Sequence, residues 1–446
     1  VIPTLLLLAT VGLMHAARTF SAETAFAGTE LSFGFLLLCA FFAGRVAAQL
    51  RLPRLTGYLL AGIAVGPFAL DLVTSEMASS LRVVNGVATC ILGLTAGSEL
   101  NLERVRPIAR SLRWVMLASV VGSMAVLTGV LLLLREMLPL FDGMTTGQAV
   151  AVAAVIGVAL SPQSPAVVMA LLSETRADGP LSQFMLASVV VADLVAVVIY
   201  SIAATGAGVA IGGGVDIIDT FLSISWELLG SIAFGVAMGM VIGGFLRTVK
   251  EGASMFALLI CVVVAEIGVR IHLDPLVVML AAGIWLENFS RADASKLLHG
   301  FESAQLPVFL VWFALAGTKL DLVQLSAAII PVLVLASSRA VWHFIATRFA
   351  AGLAGAPPVV AQHAWIGLVP QAGLSLALIV VIQKSFPTFG PAAAVLLLGV
   401  LAVNQLVSPI LLKAALVRSG EAGRKAGVDF APEEEAHIVS RSEIKS

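Results

Sequence analysis

The stretch from Leu181 to Ile202, LSQFMLASVVVADLVAVVIYSI, limits the fold more than any other part of the chain. It is long enough to cross a bilayer, and apart from Tyr200 its only ionisable side chain is Asp193. Lipid offers the backbone no hydrogen-bond partners, so membrane-spanning chain is either helical or part of a closed barrel. Long unbroken apolar runs recur along the sequence, and alternating strands of roughly ten residues do not, which selects helices. Within such a helix a carboxylate costs on the order of 2.5–3.5 kcal/mol on insertion scales. Asp193 therefore reads as a functional group, against the plainer reading of a neutral buried carboxyl or a partner for a buried cation.

Composition supports this reading. Hydrophobic residues make up 59% of the 446, charged residues 12%, and mean hydropathy is +1.03. That balance excludes a soluble domain and leaves room for about a dozen spans of roughly 20 residues. A net charge of −1 gives no basis for nucleic-acid binding. Cys39, Cys90 and Cys261 each lie in an apolar run and read as small buried hydrophobes. No Walker A, GxGxxG or zinc-type spacing occurs, so no cofactor and no enzymatic chemistry is expected.

The apolar pattern predicts an all-α polytopic membrane protein with thirteen spans. They lie near 30–50, 56–72, 81–99, 112–134, 147–173, 181–205, 221–248, 253–271, 275–288, 305–318, 324–352, 361–384 and 388–416. Val1–Ala17 reads as a signal-like segment or an extra membrane helix, and the start at Val1 as a truncated or processed copy. The chain divides into an N-terminal segment and linker (1–29), a first six-helix repeat (30–205) and a linker helix (206–250). A second repeat (251–416) and a polar cytoplasmic tail (417–446) follow. Basic residues set the orientation: nineteen fall on the side of the C-terminus and six on the other. The C-terminus is then cytoplasmic, and the protein is expected in the plasma membrane, a bacterial inner membrane.

The repeat is visible as four matches in order. LRLPRLTGYLLAGI (50–63) resembles IHLDPLVVMLAAGI (271–284), and LTAGSELNL (94–102) resembles LAGTKLDL (315–322). VMLAS (115–119) recurs as LVLAS (333–337), and Pro162-Gln163 as Pro370-Gln371. The single helix between the two copies inverts the second, an arrangement common in secondary transporters. In this alignment Asp193 falls opposite Asn404 or Gln405.

Three features gather on Asp193. Pro162 and Pro165 interrupt span 5 within VALSPQSPAVV (158–168), freeing carbonyls and helix ends. Pro370, with Gln371 and Gly373, interrupts span 12 at the matching place in GLVPQAGLSL (367–376). Paired interruptions are the best sequence pointer to a transporter's binding site. Arg339 in span 11 is a permanent cation suited to helix-end dipoles and freed carbonyls, and to compensating the carboxylate's charge. Ser161, Gln163 and Ser164 offer oxygen ligands for a monovalent metal cation beside Asp193. Glu266 and Arg270 read as an i,i+4 pair, Glu227 as a helix-start carboxylate, and His343 and His363 as structural or proton-relaying.

With these residues in view, the sequence resembles the monovalent cation:proton antiporter superfamily, which includes Na+/H+ exchangers and Kef-type transporters. The resemblance covers about 30–416. It rests on TGYLLAGIAVGP (56–67), GSELNLERVR (97–106), LSPQSPAVV (160–168), VADLVAVV (191–198), AGTKLDL (316–322) and GLVPQAGLSLAL (367–378). It implies a homodimer, with a dimer domain from spans 1–3 and 8–10 and a transport core from spans 4–6 and 11–13. Discontinuous spans 5 and 12 would cross in that core, which shifts in an elevator-like motion. Two places depart from the family pattern: Ala192 stands where a polar or charged residue is usual, and Gln163 where many members have Asp.

The resulting expectation is exchange of Na+ or K+ for H+, electroneutral, with Asp193 binding either proton or cation. The alternatives are a non-transporting sensor or scaffold in which Arg339 locks onto Asp193, a channel, and a carrier of an anion held by Arg339.

Overall fold

The computed structural model describes residues 2–20, 27–211, 222, 225–248, 252–290, 295–320, 328–371 and 373–424. Most of the predicted tail, from Lys425, lies outside the described residues, as do much of the linker, Arg291, Asp321, Leu322 and Ala372. All regular structure among the described residues is helical.

The helices that matter here are α1 (Ile2–Phe20), α2 (Ala27–Gln49), α3 (Arg54–Val65), α4 (Arg82–Glu99) and α5 (Ala109–Leu133). Next come α6 (Thr146–Ala159), α7 (Pro165–Thr175), α8 (Pro180–Ile211) and α9 (Ser231–Thr248), the last entered through a π turn at Trp226–Gly230. The second half holds α10 (Ala253–Arg270), α11 (Pro275–Phe289), α12 (Ser295–Thr318) and α13 (Ile329–Leu353). It ends with α14 (Pro358–Gly367), α15 (Gly373–Ser385) and α16 (Gly390–Arg418). Five described helical stretches, among them α8, α13 and α16, are long and apolar enough to cross a membrane, and shorter apolar helices accompany them.

Several boundaries follow from local chemistry. The second span, expected to reach residue 72, stops at Val65 because Gly66 is extended and Pro67 has no N–H to continue the ladder. Asp274 caps α11 by accepting from the Leu276 and Val277 N–H groups, with Pro275 in the first turn. Thr145 and Gln148 form a capping box at the start of α6.

Without a hydrophobic drive between helices in lipid, close packing relies on small residues. Helix α3 packs on α12, and α4 on α11. A Cβ at Gly62 would strike the Ala314 carbonyl, and one at Gly317 the Leu59 carbonyl. Gly283 and Gly97 stand in the same relation to the carbonyls of Leu94 and Leu280. In the internal sequence match Gly62 aligns with Gly283 and Gly97 with Gly317, so equivalent glycines make equivalent contacts. A second set of contacts joins α5 to α13 and α6, α8 to α6, α7 and α14, and α16 to α7 and α15.

Candidate functional site

Both proline-interrupted spans are broken. Helix α6 ends at Ala159, residues 161–164 run non-helically, and α7 restarts at Pro165 behind Ser164. The Ser164 hydroxyl accepts from Val167 N–H at 3.2 Å, capping the new helix. In the second half, α14 ends at Gly367, Pro370 and Gln371 are non-helical, and Gly373 begins α15. The two breaks touch: Ser164 N–H donates to the Pro370 carbonyl at 2.9 Å.

Each break leaves a half-helix C-terminus with carbonyls lacking helical donors. Arg339, fully buried on α13, satisfies them. Its Nε donates to Leu160 at 2.7 Å, Nη1 to Val369 at 2.7 Å, and Nη2 to Leu368 at 2.9 Å and Pro162 at 3.2 Å. A permanent cation thus meets the negative ends of two helix dipoles, which is the favourable polarity. Among the described residues no ion pair joins Arg339 to Asp193, so the locked arrangement considered above is absent from this structure.

Asp193 faces the other pole of the break. Its Oδ1 accepts from Gln163 N–H at 3.3 Å, close to the N-terminus of α7, where the dipole and free N–H groups favour an anion. The side chain is partly exposed to a cavity of about 170 Å³. That cavity reaches past Asn85 and Thr89 toward Asp274, Glu227 and the exposed Lys319. Leu374, Leu376, Leu378 and Trp312 form much of its apolar wall.

The predicted oxygen ligands separate. Gln163 and Ser164 line this cavity, and the Gln163 side chain is buried with no hydrogen-bond partner for either Oε1 or Nε2 among the described residues. Ser161 does not line it; its hydroxyl lies 3.0 Å from Ser123 Oγ and 3.1 Å from the Gly157 carbonyl. Gln371 braces the crossing: Nε2 donates to Leu160 at 2.8 Å, and Oε1 accepts from Asn404 Nδ2 at 2.6 Å. Gln405, on the next position of α16, donates Nε2 to the Gln371 carbonyl at 3.3 Å and lines the cavity. Its place in the same cavity lining as Asp193 was hinted by the repeat, which set Asp193 opposite Asn404 or Gln405, whereas Asp274 and Lys319 gave no such signal.

The remaining titratable groups stand apart or at the cavity's rim. Arg270 and Glu266 pair at 2.7 Å on an exposed face of α10. Glu227 lies in the π turn, at the cavity's edge. His343, one turn along α13 from Arg339, is fully buried, and neither ring nitrogen has a partner among the described residues.

Two broken helices meeting at a buried arginine, beside a carboxylate that faces a cavity, define a membrane transporter rather than an enzyme. The family model described as "Sodium/hydrogen exchanger, transmembrane" matches residues 35–418, and the chain belongs to that family of antiporters. Over 353 residues it is 26% identical to the ammonium/H+ antiporter subunit AmhT of Alkalihalophilus pseudofirmus, covering 77% of this chain and 82% of that protein. Over 170 residues it is 28% identical to the iron transporter MagA of Paramagnetospirillum magneticum, covering 38% of this chain and 36% of that one. Its fold is similar to that of the sodium proton antiporter MjNhaP1 of Methanocaldococcus jannaschii. The TM-score is 0.64 at 14% identity, over 90% of this chain and 99% of the other.

Proposed function

We propose that the protein exchanges a monovalent cation, Na+ or K+, for H+ across the plasma membrane, with Asp193 as the shared site. The observation that carries this reading is the Asp193 carboxylate at a broken helix, facing a cavity and holding a backbone hydrogen bond from Gln163. A protonated carboxyl cannot serve as an anionic ligand, so proton and cation exclude one another and their fluxes are coupled. No covalent step is needed. Because Arg339 is engaged by four carbonyls, its charge stays fixed while Asp193 alternates, which favours one-for-one, electroneutral exchange.

The aligned glycine contacts support two inverted repeats of six helices within a thirteen-span bundle. In this reading α2–α4 and α10–α12 form the dimer-forming scaffold, and α5–α8 with α13–α16 form a core that moves as an elevator. The C-terminus is cytoplasmic, and the cavity of Asp193 opens to the opposite side. Ammonium, in the name of AmhT, is a further cation to try, by cation-dependent thermal stabilisation, because NH3 crosses the bilayer and shifts an internal pH dye without a carrier.

Proton flux in proteoliposomes carrying an internal pH dye tests the proposal, with Na+, K+ and Li+ added in turn. Flux driven by one cation and unchanged when the membrane potential is clamped is the expected result. Silence with every cation from folded protein contradicts it.

A further inference from the structure

Two thiols meet where α4 packs against α10. A Cβ at Gly86 would lie 2.9 Å from the Ala265 Cβ, so the two helices approach closely there. One turn later on α4 stands Cys90, and one turn earlier on α10 stands Cys261, with the two side chains within hydrogen-bonding reach of each other. The helices therefore run antiparallel with the cysteines in register. Both thiols are fully buried and free. Cys90 also donates to the Pro275 carbonyl at the start of α11, at 3.9 Å. Thr89, beside Cys90, lines the Asp193 cavity, as do Asp274 and Leu276 on either side of Pro275, so the pair borders the cavity wall. Exchange at Asp193 uses neither thiol.

We infer that Cys90 and Cys261 form a two-coordinate site for a soft divalent metal ion of the mercuric kind, bound as a bis-thiolate that bridges α4 and α10. Sulfur ligands select soft metals over hard cations such as Na+ or Mg2+. Ligand number narrows the class. Among the described residues no third His, Cys, Asp or Glu joins the two thiols in a group able to hold an ion. Zinc-type ions, which take four ligands in closed sites, are therefore poorly served. Asp274, a nearby carboxylate, is committed through Oδ1 to the cap of α11. Charge then separates soft ions of different valence. Each sulfur gives up its proton to water as it binds the metal, so two thiols and one divalent ion yield a neutral bis-thiolate and two protons. A neutral product suits an apolar interior, whereas a monovalent ion would leave a buried negative charge near Asp274. This inference stands apart from the exchange reading of Asp193.

The test titrates the purified full chain in detergent with HgCl2, CdCl2 and ZnCl2, in a Cys39→Ala background that leaves only these two thiols. Native mass spectrometry reads the stoichiometry and the protons displaced, and thermal melting reads the bridge between helices. The expected result is one mercury per chain, the loss of two protons and a raised melting temperature. Adding Cys90→Ala or Cys261→Ala should leave an adduct that has lost a single proton and gives no rise in melting temperature. Against a competing monothiol, each should hold mercury about a hundredfold more weakly, because the second sulfur no longer binds intramolecularly. Metal-free melting checks that each variant is folded. Folded protein that takes up no mercury, that loses only one proton, or that binds no more tightly than the single-cysteine variants overturns the inference. Zn2+ or Cd2+ held as tightly as mercury overturns the two-coordinate assignment. None of these outcomes bears on cation-driven proton flux through Asp193.

Discussion

Glu421, just beyond the end of α16, caps the helix that carries Asp193: its Oε1 accepts from Leu181 N–H at 2.7 Å. Its Oε2 takes the N–H and hydroxyl of Ser182 at 2.8 and 2.7 Å. The carboxylate is 1% exposed and sits where the α8 dipole is positive. A Cβ at Gly179 would collide with it, so that glycine leaves room for the tail to dock. Gly423 N–H also donates to the Thr175 carbonyl at the end of α7, tying the same short segment to both site helices.

Glu421→Ala should cost about 1–2 kcal/mol by leaving first-turn donors of α8 bare. Glu421→Gln, which can still accept, should cost less. Melting of the detergent-solubilised protein reads both. Equal stability of wild type and Glu421→Ala would show that the contact does not hold α8.

Arg339 should behave as a structural cation and not as a cation-selecting group. Arg339→Met bares four buried carbonyls at about 1–3 kcal/mol each, so little folded protein is expected. Arg339→Lys keeps the charge but loses the fork that reaches both breaks at once, and should fold with a lowered melting temperature. Size-exclusion profiles and melting curves decide. An Arg339→Met protein as stable as wild type would refute this role.

Glu174, which does not line the cavity, joins α3 to α7 and α16. At the end of α7, it accepts from Arg54 N–H of α3 at 3.0 Å and pairs with Lys413 of α16 at 3.3 Å. An elevator shift must break the contact with α3. Glu174→Ala, which removes the acceptor, should therefore favour the alternative conformation, and a preference of about 1 kcal/mol changes populations roughly fivefold. An Asn85→Cys reporter in the cavity should then react more slowly with a membrane-impermeant thiol reagent. Unchanged reactivity would show that Glu174 does not hold this state.

Much of the site was legible because charge and proline are conspicuous in apolar runs. Asp193, Arg339 and the breaks at Pro162 and Pro370 all announced themselves through that contrast. Ser161, a ligand candidate on the same contrast, does not line the cavity, because a serine beside a helix break is equally able to turn back to a helical carbonyl, as it does to Gly157. Asn404 and Gln405 were visible only as alternative repeat partners of Asp193, since an amide in an apolar helix does not reveal that both brace Gln371. The Glu421 and Glu174 contacts join residues far apart in sequence, and no local pattern encodes them. The same holds for the early stop of the second span, where the Gly66-Pro67 pair outweighs the apolar residues that follow.

Acidification should act by competition. Protonated Asp193 cannot bind cation, so below its carboxyl pKa the apparent KM for cation should rise about tenfold per pH unit, with kcat unchanged at saturation. At higher pH the KM should level off. Initial rates of exchange across a pH series check this. A kcat that falls in acid while KM stays constant would point to a titrating group other than the cation site.

The most direct measurement compares wild type with Asp193→Asn, both reconstituted as folded protein, by cation-driven proton flux under an imposed cation gradient. The account predicts flux in wild type and none above protein-free liposomes in Asp193→Asn. Robust cation-dependent flux in Asp193→Asn would contradict it.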